Sequence, residues 1–367
     1  MHYLDANATQ PLRPAAFDAI AAAFSVTGNP SSVHQAGRTA RRIVEDAREV
    51  IAIRFGTRPQ DLVFTSGGTE ADAMAIHAMT AGRRLIISAI EHDAVRAAAG
   101  NPAVLPVGAD GVADIDALEA LLQDGVPSLV CLMLANNETG VLQPIHEAAA
   151  ICRRHQALLH VDAVQGAGRL DVSLQALGAH SLAISSHKLG GPAGAGALLL
   201  APDAPFAAPL IGGGGQERGR RGGTQAVALI AGFAAAAIAC QSDDFARTAM
   251  LRDTIEEAAL AAGAVICGDP GRRLPNTTCL GLPGARADAQ VIALDLEQIA
   301  VSAGAACSSG KVTSSHVLQA MGLGALAGQA IRVSLPWNVS QQDVDAFTSA
   351  YPRMVARLRS PLVPHAA

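Results

Sequence analysis

The segment Leu158-Leu159-His160-Val161-Asp162-Ala163-Val164-Gln165 is an apolar run that closes on an acid and an amide. Bounded by helical patterns, such a run reads as a strand buried on both faces of a parallel sheet. Asp162 stands at its C-terminal end, where ligand-contacting groups gather in open α/β sheets. The same texture repeats on both sides. Residues 61–65, 84–90 and 128–134 read as earlier strands, and residues 182–185 and 195–200 as later ones. Helical patterns fall between them at residues 39–55, 71–80, 114–122 and 144–155. This alternation predicts an α/β layer fold with a mostly parallel central sheet flanked by helices. After Gln241 the texture changes to a charged helix (244–262), short strands (265–267, 277–281, 299–302, 330–335), a helix at 287–296 and a last helix from about Gln341. That tail reads as a smaller α+β unit, with a boundary near residue 245.

Composition narrows the function classes. The chain has 367 residues, 50% of them hydrophobic but only 3% aromatic, so its core is expected to be built from small side chains in close helix contact. A net charge of −5 gives no general footprint for nucleic acid, although Arg218, Arg220 and Arg221 cluster. The longest apolar stretch, 226–240, is too short to span a bilayer and reads as a buried helix. Residues 1–10 lack a basic start followed by an apolar run, and the six cysteines form neither CxxC pairs nor zinc spacings. A soluble cytoplasmic protein without disulfides or a metal is expected.

Of the 27 lysines and arginines only two are lysine, Lys188 and Lys311. Either this is compositional drift, or one site requires a primary amine that a guanidinium cannot replace. Lys188 lies in Ser185-Ser186-His187-Lys188-Leu189-Gly190-Gly191-Pro192, between two apolar strands and among small residues. A lysine there is either a hairpin-turn residue or a desolvated amine, nucleophilic toward carbonyls. Ser66-Gly67-Gly68-Thr69-Glu70 joins a strand to a helix, where Thr69 serves as a helix cap or the free N–H groups bind phosphate. Asp162 caps a turn or holds a ring nitrogen protonated. His92, after the strand at 84–90, is a loop histidine or an imidazole that stacks on a cofactor and moves protons. A phosphate cradle, an acid for a pyridine nitrogen and a Schiff-base lysine together match the needs of pyridoxal 5′-phosphate. Cys307 sits in Val301-Ser302-Ala303-Gly304-Ala305-Ala306-Cys307-Ser308-Ser309-Gly310-Lys311, which has nothing to build a core and reads as an exposed loop displaying a reactive thiol. The other five cysteines read as structural.

These motifs, taken in order, resemble the group I cysteine desulfurases, within the class V aminotransferase group of fold-type I pyridoxal phosphate enzymes. The resemblance also rests on Tyr3-Leu4-Asp5-Ala6-Asn7-Ala8-Thr9, Gly28-Asn29-Pro30-Ser31-Ser32-Val33-His34, Ala135-Asn136-Asn137-Glu138-Thr139-Gly140, the glycine- and arginine-rich run from Gly214 to Thr224, and Ile331-Arg332-Val333-Ser334-Leu335. It implies a large cofactor-binding domain at residues 15–245 and a small domain of residues 1–14 and 246–367 that carries the cysteine loop. It further implies that Lys188 joins the cofactor, Asp162 pairs with its pyridine nitrogen, Gln165 contacts the ring hydroxyl and His92 stacks on the ring. Gly68, Thr69, Ser185 and His187 are then phosphate ligands, and Thr224 reaches the phosphate of the other subunit of a homodimer. Asn137 and Arg332 match positions that hold the substrate carboxylate, for which an arginine fork is suited, and Asn137 is expected to contact the cofactor as well.

The implied reaction takes sulfur from L-cysteine, giving L-alanine and a persulfide on Cys307 for a sulfur-acceptor protein in iron–sulfur cluster assembly or thiolation. Selenocysteine lyase and aminotransferase are alternatives on the same fold, and a non-catalytic sulfur-assembly partner is one of another class. The chain departs from the family at Lys311-Val312-Thr313-Ser314, which replaces a stretch usually holding an acid and a proline, and at its short C-terminus. Both departures bear on the acceptor.

Overall fold

The computed structural model describes residues 1–304 and 314–359. The chain opens on a two-residue strand, β1 (His2–Tyr3), and α1 (Pro14–Phe24), which starts with proline at its first position. Helix α2 (Gln35–Arg54) is capped by the His34 ring, whose Nδ1 accepts from the Gly37 N–H at 3.2 Å. Strand β2 (Leu62–Thr65) leads into α3 (Gly68–Met79), and β3 (Arg84–Ser88) into α4 (Asp93–Ala98). Then come β4 (Ala103–Leu105), α5 (Ile115–Leu122), β5 (Ser128–Cys131), α6 (Ile145–Arg154) and β6 (Leu158–Asp162). The short α7 (Leu174–Leu177), β7 (Ser181–Ser185), β8 (Gly196–Leu200) and α8 (Val227–Ala239) complete this part.

These strands form a seven-stranded sheet in the order β2-β8-β7-β6-β5-β3-β4. Strands β7, β6, β5, β3 and β4 are mutually parallel, while β8 runs antiparallel to both β7 and β2. The predicted mostly parallel sheet is therefore present, with one reversed strand. Two strands stop earlier than their apolar runs. The run at 128–134 goes on bonding to β6 past Cys131, through Leu132 N–H to His160 O at 3.1 Å and Leu134 N–H to Asp162 O at 2.8 Å, but it parts from β3, and the Met133 N–H is taken by the Glu91 carboxylate at 2.8 Å. The run at 84–90 likewise ends at Ser88.

Small side chains let the helices approach closely. On the α1–α8 contact, a Cβ at Gly232 would lie 2.5 Å from Ile20 Cγ1, so only glycine fits. Helix α8 carries the apolar stretch expected to form a buried helix. Among the described residues no helix is long and apolar enough to cross a membrane.

The rest of the chain adds α9 (Phe245–Ala261), β9 (Val265–Ile266), β10 (Thr277–Gly281), α10 (Ala287–Leu296), β11 (Ile299–Ala300), β12 (Ser302–Ala303), α11 (His316–Ala320), β13 (Ala330–Ser334) and α12 (Gln341–Arg359). Strands β12-β13-β10-β9 form a four-stranded sheet, and β1 pairs in parallel with β11. The single strand expected at 299–302 is thus two strands. Ile299–Ala300 pairs with the chain's N-terminal residues and Ser302–Ala303 with Arg332 and Ile331, so the ladder changes partner at Val301. A separate apolar cluster covers this sheet, joining Leu4 to Ile255, Leu280, Leu294, Ile331, Phe347 and Tyr351.

Candidate active site

The carboxyl ends of the parallel strands deliver the predicted residues to one cavity of about 200 Å3. Asp162 ends β6, Ser185 ends β7, and Lys188 follows on a single tight turn. His92 comes from the segment after β3, and Gly68 and Thr69 from the start of α3. Asn137, Gln165 and His187 complete the set. Sequence reading did not single out three other lining residues, Asp72, Met133 and Val164.

At residues 66–70 Thr69 is not the helix cap. Gly67 occupies the cap position of α3 and has no side chain to accept from the first turn. Those N–H groups are left for a ligand, the arrangement that suits an anion. Glu70 instead serves the loop before the helix. It accepts from the Ser66 N–H at 2.7 Å and from Arg221 at 2.8 Å. Burial pushes its pKa up, but these bonds outweigh burial and hold it below its usual value.

Asp162 is buried and accepts from the Val164 N–H at 2.9 Å. Burial raises its pKa, while His92, the Val164 N–H and Lys188 oppose the rise. Such a carboxylate is stabilised by a cationic donor, and a protonated pyridine nitrogen is one. Behind it lies a neutral network. Asp72 Oδ1 lies 3.1 Å from His160 Nε2, and His160 Nδ1 lies 2.8 Å from Ser181 Oγ. Burial lowers the His160 pKa to about 3, so its ring is uncharged. Burial also raises Asp72 well above the carboxylate range, with Asp162 and Glu91 adding to the shift. Burial pushes Glu91 up to about 8, the Asp162 charge adding to the rise while bonds from Ser88 and Met133 oppose it. Of these acids only Asp162 and Asp72 line the cavity.

His92 caps α4, its Nδ1 accepting from the Ala94 N–H at 3.1 Å. That bond assigns the proton of the neutral ring to Nε2. Lys188 Nζ donates to the Asn7 and Ala8 carbonyl oxygens. Gln165 is set by two bonds: its Nε2 donates to Asn7 O at 3.0 Å and its Oε1 accepts from Arg169 at 2.7 Å. His187 Nδ1 lies 3.2 Å from Thr9 Oγ1. Burial, with Lys188 and Arg169 nearby, lowers its pKa to about 4, so it is neutral.

Arg332 does not line the cavity directly but is tied to it. Its Nη1 donates to Asn137 O at 3.0 Å and its Nη2 to Asp5 at 2.7 Å, while its buried Nε has no partner. Thr224 is exposed and is not among the cavity residues. Its loop is held from below. Glu217 forms a bidentate pair with Arg48 (2.8 and 2.8 Å) and accepts from the Phe64 N–H at 2.9 Å on the open edge of β2. Cys307 and Lys311 lie outside the described residues, as does the C-terminus from residue 360. The five other cysteines are buried and free, in keeping with a structural role. Among the described residues no cluster of His, Cys, Asp and Glu is arranged to hold a metal.

The residues present fit pyridoxal phosphate: uncapped helix N–H groups, a buried acid seeking a cation, and a primary amine meet in one cavity. Comparison with known proteins agrees. The class-V aminotransferase family model matches residues 2–347. An IscS-like cysteine desulfurase of Mycobacterium tuberculosis is 39% identical over 98% of this chain and 97% of its own length. A cysteine desulfurase of Cereibacter sphaeroides is 40% identical over 98% of this chain and 96% of its own. The crystal structure of a NifS-like protein from Rickettsia africae superposes with a TM-score of 0.90 at 35% identity, covering 97% of this chain and 99% of that one. Its sequence, its sheet and its site therefore place the chain in the class-V aminotransferase family, among the cysteine desulfurases.

Proposed function

We propose that this enzyme removes sulfur from L-cysteine with pyridoxal phosphate, leaving L-alanine and a persulfide on Cys307 that passes to an acceptor protein. The convergence of Lys188, Asp162 and His92 at adjoining strand ends in one cavity carries this reading. Gly68, Thr69, Ser185 and His187 would hold the phosphate, with Thr224 contributing to the partner's site in a homodimer. Asp162 would hold the pyridine nitrogen, Gln165 the ring hydroxyl and His92 the ring face. Bound there, the cofactor supplies an electron sink for a carbanion at the substrate Cα.

The chain's own residues do the rest. Arg332 and Asn137 orient the substrate carboxylate. Lys188 supplies the amine that joins the cofactor and moves a proton at the substrate. His92, with its proton assigned to Nε2, is the second proton carrier. The Cys307 thiolate attacks the substrate sulfur. An S–S bond forms as the Cβ–S bond breaks, the electron pair stays with the substrate carbon, and that carbon takes a proton and leaves as alanine. Residues 15–245 form the cofactor-binding domain in this account, and residues 1–14 with 246–367 the domain that brings Cys307.

The test is Cys307→Ala. It should keep the absorbance near about 400 nm expected of a lysine-bound cofactor and lose sulfide release from L-cysteine. Sulfide release at the parent rate would refute the persulfide role.

A further inference from the structure

Glu138 is not used in the chemistry above, yet it lies 2% exposed beside Asn137. Its turn is rigid. The Asn136 side-chain oxygen accepts from the Glu138 N–H at 2.9 Å and from the Thr139 N–H at 2.9 Å, and Asn136 Nδ2 donates to Ile90 O at 3.1 Å. From this post the Glu138 carboxylate reaches two residues far apart in sequence. Ser315 Oγ donates to Glu138 Oε2 at 2.5 Å. A Cβ built on Gly304 would lie 2.5 Å from the same oxygen, so the carboxylate end is packed against that backbone and would have to shift to admit any side chain there. Gly304 and Ser315 are the residues on either side of the stretch that contains Cys307.

The Ser315 hydroxyl is committed in both directions. It caps α11 by accepting from the Leu318 N–H at 3.0 Å, which leaves its proton for Glu138. The neighbouring Asn137 carbonyl receives Arg332. One turn therefore carries the contact to both stems and the contact to the arginine assigned to the substrate carboxylate.

We propose that Glu138 is a positioning residue that fixes the two stems of the Cys307 segment, Gly304 and Ser315, to the same turn that orients the substrate. It is not among the residues that line the cavity. It sets where the ends of that segment stand relative to the site, and a misplacement of about 1 Å at a reacting pair costs on the order of 100-fold. The proposal rests on Cys307 being the sulfur-accepting thiol.

The test compares Glu138→Ala, Glu138→Gln and Gly304→Ala in the cofactor-loaded enzyme. Three quantities are read: the spectral change on adding L-cysteine, the rate of persulfide formation on Cys307 by mass spectrometry, and the rate of Cys307 alkylation by iodoacetamide. Glu138→Ala should keep the cofactor spectrum and respond to L-cysteine at concentrations within about twofold of the parent. It should form the persulfide roughly 10- to 100-fold more slowly and alkylate several-fold faster. Glu138→Gln should recover most of the persulfide rate, because its amide oxygen can still accept from Ser315. Gly304→Ala, which pushes the carboxylate off Ser315 from the other side, should resemble Glu138→Ala and carries the test if that variant does not fold.

Parent rates of persulfide formation and alkylation in Glu138→Ala or Gly304→Ala would overturn the proposal. So would loss of the cofactor spectrum and the substrate response in step with the persulfide rate, since the effect would then belong to the whole site. If the parent enzyme itself forms no persulfide, the desulfurase reading fails, and alkylation, which needs no turnover, still decides for or against the stem contact.

Discussion

Removing Arg48 breaks a buried ion pair with Glu217, along with a half-exposed contact to Glu45 at 3.1 Å, with consequences that can be worked out. The Arg48 and Glu217 side chains are 4% and 1% exposed, and they meet through two bonds of 2.8 Å. Arg48 also donates to Leu62 O at 3.0 Å, and Glu217 accepts from Phe64 N, so the pair seals the open edge of β2. Glu217 and the next residue hold φ of 46° and 58°, a left-handed conformation that costs non-glycine residues about 1–3 kcal/mol each. In Arg48→Met the carboxylate stays buried without its partner, a loss of about 3–5 kcal/mol.

The loss should depend on pH. Burial raises the Glu217 pKa, and Arg48 first, with Gln225 and the Phe64 N–H after it, holds it below its ordinary value. With Arg48 present, the native state resists protonation and gains stability above the ordinary glutamate pKa. Without Arg48, the native state favours the proton and loses stability as pH rises through that range. The difference between parent and variant should therefore widen from about pH 4.5 upward. Urea unfolding followed by circular dichroism at several pH values between about 5 and 8 reads both quantities. A cost below about 1 kcal/mol, or one that does not grow with pH, would refute the reasoning.

Lys188→Arg should abolish both cofactor absorbance near about 400 nm and turnover, because a guanidinium keeps its proton, whereas Lys311→Arg should keep the absorbance; an absorbance titration with added pyridoxal phosphate separates them. Asp162→Asn removes the charge that favours a pyridinium, and turnover should fall by on the order of 100-fold or more while the phosphate cradle still binds cofactor, as measured by fluorescence titration. Glu91 has a pKa of about 8 when folded, so the native state holds a proton that the unfolded chain releases above about pH 4.5, and stability falls as pH rises through that window. Glu91→Gln should remove roughly 3 kcal/mol of that fall between about pH 5.5 and 8, read from urea midpoints.

Much of this was legible in the sequence because it is local. Continuous apolar runs such as 158–161 and 182–185 mark strands buried on both faces, and Asp162 at the end of one with Lys188 just past the other marks the functional edge. Lys188 stood out because arginine serves nearly everywhere else. The missed features depend on contacts between distant residues. Asp72 looks like an ordinary helix residue until His160, 88 positions away, is found bonded to it. Glu138 shows no role until Ser315 and Gly304 arrive beside it. The split of 299–302 reflects pairing with β1, at the opposite end of the chain. Helix α1 escaped notice because its bulky Phe17 and Phe24 are exposed while small Ala16 and Ala23 are buried, and it is held by packing on α8.

The central claim is tested most directly by giving the purified, cofactor-loaded protein L-cysteine with no 2-oxo acid and no acceptor. Alanine and the mass of the Cys307 peptide are then followed in a single turnover. Alanine should appear in step with one added sulfur atom on Cys307. Pyruvate and ammonia in place of alanine, or alanine formed while Cys307 stays unmodified, would contradict the account.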